Sequence, residues 1–325
     1  MEVFRNVAVP PQMSVKDIDR EELKDGYWNI IHKLRKDRKA FLQMKLKGKK
    51  ASAGDYPLGY VTEFRKMVNG GRYKEYKVQV CDVLVEGIKS PKKEIQEYCN
   101  AVFNEIQEKT VDTYLWKKIL SANFIPKVAQ AYIKKNRSRL EANSSISYLL
   151  DNCEAKFSGT ELMAADFQAK EAVKARIEDL ILYVHWYRKK YRMDQNVCFV
   201  NLLPDWVKQI QSFLKVDTYL EYPIQLADLV YEGCKSPDIK VEQMSLNFVE
   251  ELLKLAKLDV YFWTKMLASD WVPDAIWVLL QKYPEVFEPQ KEDLGEFIKK
   301  KDDKGRSKTS DAVYAEVVKM YCKSL

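Results

Sequence analysis

Residues 81–136 and 227–283 of this chain are two versions of one sequence, aligned at an offset of 146 residues that becomes 147 after a single insertion. Asp82, Glu86, Gly87, Lys89, Ser90 and Pro91 match Asp228, Glu232, Gly233, Lys235, Ser236 and Pro237. Further on, Asp112, Tyr114, Trp116, Lys118, Leu120 and Pro126 match Asp259, Tyr261, Trp263, Lys265, Leu267 and Pro273. A helical unit that recurs in this way exposes an apolar edge its own helices cannot cover, and a second unit stacked on it makes the core continuous. Duplication therefore constrains the fold to a helical-repeat body, an architecture used more for recognition than for chemistry.

The rest of the chain agrees with long helices and economical connections. Only 11 Gly and 11 Pro occur in 325 residues, too few for a sandwich or barrel that turns every ten residues or so. Hydrophobic residues at 46% suffice for a packed core. The six cysteines are scattered without a CxxC pair, which predicts free buried thiols in a reducing compartment. The N-terminal stretch has no apolar centre, and no apolar run approaches the length of a membrane span. The expectation is an intracellular protein, cytoplasmic or nuclear, with no membrane partner. A net charge of +7 permits an acidic partner or nucleic acid and requires neither.

Local signals divide the chain into five parts: an N-terminal arm (1–20), a first helical unit (21–136), a connector with the start of a long helix (137–178), a second unit (179–284) and a charged tail (285–325) ending in a short amphipathic helix. In the first unit Tyr27, Ile30, Ile31, Leu34 and Phe41 recur at helical spacing. Asn69-Gly70-Gly71 reads as an interruption after a helix over 60–68. The stretch 76–85 alternates like a strand, but its duplicate reads as helix, so helix is expected in both. Gly87 and Gly233 fall at helix ends, where positive φ is common. Lys-Ser-Pro follows each, with Ser expected at N-cap and Pro opening the next helix. Asn136 to Ser145 reads as a loop, and Ser158 to Glu161 has capping-box spacing. The duplication also reaches back to IIHKLRKDRK (30–39) and YVHWYRKKYR (183–192), which makes His32 and His185 equivalent.

Candidate functional residues are few. The segment 32–50 carries Lys33, Arg35, Lys36, Arg38, Lys39, Lys45, Lys47, Lys49 and Lys50 against one acid, Asp37. The segment 183–192 sets Arg188, Lys189, Lys190 and Arg192 among tyrosines and a tryptophan. Basic residues interleaved with aromatics can neutralise phosphates and stack on bases; the same spacing also describes a solvated helix face. The paired Ser-Pro sites admit phosphorylation at Ser90 and Ser236, with capping the preferred reading. Tyr114/Tyr261 and Trp116/Trp263 are expected in the core. No phosphate-binding loop, dinucleotide fingerprint, nucleophile elbow or HExxH appears, and two histidines without a Cys/His cluster do not make a zinc site.

These observations predict an all-α protein: two tandem copies of a five- to six-helix unit in a HEAT/ARM-like, solenoid-like body. The expected function is a non-catalytic adaptor or scaffold that binds a protein partner, without cofactor or metal. The second reading is a nucleoprotein-like nucleic-acid binder using segments 32–50 and 183–192, and self-association through repeat ends is a third.

Overall fold

A computed structural model describes residues 15–46, 58–157 apart from 123 and 152, 165–193, and 202–287 apart from 259 and 270. Every regular element among the described residues is helical. The chain divides into two units, with the boundary between Ala164 and Ala165.

The first unit contains α1 (Val15–Leu46), α2 (Leu58–Met67), α3 (Gly70–Glu75), α4 (Lys77–Gly87), α5 (Lys93–Lys109), α6 (Thr113–Leu120), α7 (Lys127–Glu141) and α8 (Ser144–Leu150), then a 3₁₀ turn (Glu154–Phe157). The second contains α9 (Ala165–Met193), α10 (Pro204–Phe213), α11 (Val216–Glu221), α12 (Pro223–Cys234), α13 (Ile239–Lys254), α14 (Val260–Leu267), α15 (Asp274–Lys282) and α16 (Pro284–Phe287). Helices α1 and α9 correspond, and so do each of the pairs from α2/α10 to α7/α15. In the first unit α4 packs against α1, α3, α5 and α6; in the second α12 packs against α9, α11, α13 and α14. The neighbours are the same under the correspondence.

Helix α4 explains its own strand-like sequence. Every residue of it is buried except Lys77 and Gln79, so no solvent face imposes a 3.6-residue rhythm on its apolar positions. In α12 the only residues not buried are Pro223 and Gln225, the positions equivalent to those two. The short helices α6 and α14 are buried along their whole length. Trp116 and Trp263 lie fully inside. Trp116 donates Nε1–H to Gln107 Oε1 at 2.6 Å and sits 5.6 Å from the Phe103 ring and 5.4 Å from that of Tyr132.

Several local expectations are corrected. Gly87 and Gly233 are the last turn of α4 and α12, and neither has positive φ. Their role is close helix approach: a Cβ on Gly87 would lie 2.3 Å from Cys99 Sγ on α5, and one on Gly233 2.0 Å from Ser245 Oγ on α13. Ser90 and Ser236 are not N-caps, because the helices begin three residues after them, at Lys93 and Ile239. Ser90 Oγ accepts from Lys92 N at 3.2 Å and Ser236 Oγ from Asp238 N at 3.1 Å, each closing the turn before the helix. Asp238 is the cap, accepting from Lys240 N and Val241 N.

Asn69 does interrupt α2, but it caps α3, its side chain accepting from Arg72 N at 3.0 Å. The expected loop over 136–145 is mostly helix: α7 runs on to Glu141 through a kink at Asn136 (φ −128°, ψ 29°), and Asn143 caps α8. The capping box at 158–161, the C-terminal helix and residues 1–14 of the N-terminal arm lie outside the described residues; the last part of the expected arm, 15–20, is instead the start of α1. Cys81, Cys99, Cys153 and Cys234 are buried free thiols, and Cys198 and Cys322 lie outside.

Candidate functional site

Helix α4 carries two buried carboxylates one turn apart, Asp82 and Glu86. Asp82 meets α6, where Tyr114 and Lys118 also stand one turn apart. The Tyr114 hydroxyl donates to Asp82 Oδ1 at 2.7 Å, and Lys118 Nζ donates to the same oxygen at 2.6 Å. Glu86 meets α1: Arg35 Nε donates to its Oε1 at 3.1 Å and Arg38 Nη1 to its Oε2.

The second unit repeats this arrangement. Tyr261 donates to Asp228 Oδ1 at 2.8 Å and Lys265 to the same atom at 2.5 Å. Arg188 Nη2 lies 3.0 Å from Glu232 Oε2, with His185 Nδ1 3.5 Å from Oε1. Arg35 and Arg188 are equivalent in sequence. The second partner differs, arriving from one turn later on α1 (Arg38) and from one turn earlier on α9 (His185).

Burial by itself raises a carboxyl pKa, and here the cations outweigh it. For Glu232 the burial effect is overcome by Arg188 and then His185, leaving the group lowered to about 2. For Glu86 it is overcome by Arg38 and then Arg35, which hold the carboxyl well below its usual range. Both carboxylates are therefore ionised at neutral pH. Each cluster joins three helices at one point, α1–α4–α6 or α9–α12–α14. Asp82 and Asp228 each take two donors on one oxygen, which ties α4 to α6 and α12 to α14.

The basic segments lie in different units, one on α1 and the other on α9, and the structure divides their residues. Arg35, Arg38 and Arg188 turn inward onto buried glutamates. Lys36, Lys39 and Lys190 stand exposed, and Lys33 is half-buried. Lys189 lies over the Trp186 ring, 5.0 Å from its centroid. The side chains of Lys45 and Arg192, and all of Lys47, Lys49 and Lys50, lie outside the described residues. The two histidines differ as well: His32 is exposed and His185 buried. Ser90 and Ser236 are both buried.

The ionic clusters could have been found in the sequence. Asp82, Glu86, Tyr114 and Lys118 all stand among the positions that match between copies, and the pairs Asp–x₃–Glu and Tyr–x₃–Lys have the spacing of one helical turn. A charged residue retained in both copies within an otherwise apolar helix signals a buried pair. Asp112, which caps α6 by accepting from Leu115 N at 2.7 Å, follows the same logic; its match Asp259 lies outside the described residues.

No protein-family model matches the chain, no curated protein matches it and no solved structure matches it. No helix among the described residues is long and apolar enough to cross a membrane.

Proposed function

We propose that this chain is a non-catalytic scaffold: two tandem copies of one helical unit, stacked in the HEAT/ARM-like manner, that bind a protein partner. The observation that carries this reading is where the shared charges go. Asp82/Asp228, Glu86/Glu232, Lys118/Lys265 and Arg35/Arg188 are kept in both copies and sit in buried ion pairs inside each unit. An enzyme built on a duplicated fold needs reactive groups facing a substrate. Here the duplicated reactive groups hold helices together, and exposed positions such as Lys93 and Ile239 differ between the copies.

The chain purified from its native cells, with and without nuclease, tests this reading. A stoichiometric protein partner that survives nuclease is expected. A complex that falls apart on nuclease treatment and carries nucleic-acid absorbance would replace the scaffold with the nucleoprotein reading.

A further inference from the structure

Because each unit is a control for the other, a surface position that is solvated in one and apolar in the other marks a face put to a different use. Three elements of the second unit meet at such a face: the C-terminal half of α9, the start of α10 and the start of α13. The backbone N–H of Leu202 donates to Asp238 Oδ2 at 2.7 Å, which ties the entry of α10, next to Leu203, to the cap of α13, next to Ile239. The Tyr183 and Trp206 rings stack at 4.2 Å and 12°, tying α9 to α10. On this framework Leu203 is 60% exposed, Ile239 50% and Trp186 41%.

The twin positions in the first unit read differently. Trp186 corresponds to Lys33 and Ile239 to Lys93. Lys93 is the first residue of α5, as Ile239 is of α13, and its side chain is 87% exposed, 3.6 Å from Glu97. The helical framework therefore tolerates lysine at that place, and nothing in the packing of the unit calls for isoleucine. The flanking charges reverse too: Lys190 stands where the first unit has Asp37, and Lys240 where it has Glu94. Both lysines are exposed. Relative to their twins, Trp186 and Ile239 replace two lysines and Lys190 and Lys240 replace two acids, while Asp205, exposed at the start of α10, stands where the first unit has Gly59. Exposed apolar side chains flanked by charged residues are the usual form of a docking surface.

Resting on the scaffold reading above, we infer that this α9–α10–α13 face is the partner-docking surface and that its occupant is an acidic protein segment carrying bulky apolar side chains. The apolar anchors of the segment would cover Trp186, Leu203 and Ile239, and its carboxylates would meet Lys190 and Lys240. The composition of the centre favours protein over nucleic acid: Leu203 and Ile239 offer no ring for a base to stack on, Tyr183 and Trp206 cover each other, and the Trp186 ring already has Lys189 over it, 5.0 Å from its centroid.

The test selects phage-displayed random peptides on the full-length protein and measures the enriched peptides against two variants by fluorescence anisotropy. Trp186→Lys/Ile239→Lys restores the residues of the first unit and should leave the melting temperature unchanged. Lys190→Glu/Lys240→Glu reverses only the exposed rim. Peptides rich in Asp and Glu with Trp, Phe or Leu are expected, binding each variant about tenfold or more weakly and losing affinity with added salt. Enriched peptides that bind both variants as tightly as wild type would overturn this surface while leaving the scaffold reading standing. Failure to enrich any peptide would overturn the peptide-binding occupant itself. A labelled oligouridine whose binding is lost in both variants would make the face a nucleic-acid site and overturn the inference together with the reading under it.

Discussion

Lys118 Nζ lies 2.6 Å from Asp82 Oδ1 across the α6–α4 contact, and both side chains are within a tenth of full burial. Tyr114 donates to the same carboxylate oxygen from one turn earlier on α6. Desolvating two charges is costly, so such a pair adds little net stability compared with apolar residues of the same shape. Removing one partner is a different matter, because it leaves the other charge buried. Lys118→Met should therefore cost about 3–5 kcal/mol, and Lys265→Met a similar amount. Urea unfolding reads the loss; a variant within 1 kcal/mol of wild type, roughly the worth of a surface pair, would show that the site is more solvated than its geometry implies.

Trp116 and Trp263 anchor the two cores. Alanine at either should cost about 3–5 kcal/mol by loss of burial and the cavity left behind. Trp116→Phe should cost less than alanine but leave the Gln107 Oε1 acceptor without its indole donor. Thermal unfolding of the three variants checks the order.

Gly87 and Gly233 give a prediction that separates two explanations of the same residue. If the glycines served positive φ, alanine would be harmful whatever faced it. The geometry instead places Cys99 Sγ and Ser245 Oγ where a methyl group would go. Gly87→Ala should destabilise by about 1–3 kcal/mol, the usual range for overpacking. Cys99→Ala in the same chain should recover a large part of that loss, as should Ser245→Ala beside Gly233→Ala. No recovery in either pair would return the glycines to a backbone role.

The second unit carries two carboxyls whose titrations act in opposite directions. Glu232 is lowered to about 2 in the fold. Its contribution is present above the ordinary carboxylate range and fades as pH falls from there toward 2. Glu242 is raised to about 7 by burial. Its folded form holds a proton that the unfolded chain releases at lower pH, so its effect is absent below the ordinary carboxylate range and builds into a penalty from there up to about pH 7, above which it is constant.

The twin of Glu242 is Gln96, whose Nε2 donates to Ile88 O at 3.1 Å. Glu242→Gln should therefore stabilise the chain at pH 8 and change little at pH 4. A gain of about 1 kcal/mol is expected once the partial exposure of the group is allowed for. Denaturant titrations at the two pH values decide it, and an equal effect at both would remove the titration from the explanation.

Much of the fold was legible because duplication tests its own reading. The strand-like alternation over 76–85 was resolved as helix by its copy, and α4 bears that out. Local chemistry was less legible where one residue type serves two purposes. Glycine at a helix end fits positive φ and close packing equally well, and only the position of Cys99 decides between them. Arginines on α1 and α9 are the clearest case. Arg35, Arg38 and Arg188 look like part of a basic surface when counted along the sequence, yet they point at glutamates 44 to 51 residues away on α4 and α12. Counting charge along a helix gives no sense of which face turns inward. The Trp186–Ile239 face was missed for the complementary reason: the starts of α10 and α13 are tied by the Leu202–Asp238 hydrogen bond, which joins positions 36 residues apart.

The account rests on the shared charges being structural, and a pair of double-mutant cycles tests that most directly. Asp82→Asn and Lys118→Met, singly and together, and Asp228→Asn with Lys265→Met, are measured by denaturant unfolding of the full chain. The account predicts a coupling energy of about 2 kcal/mol or more in each cycle, similar in size between the two units. Coupling near zero in both cycles would mean that these groups do not hold the helices together, and would free them for the chemistry that a scaffold does not perform.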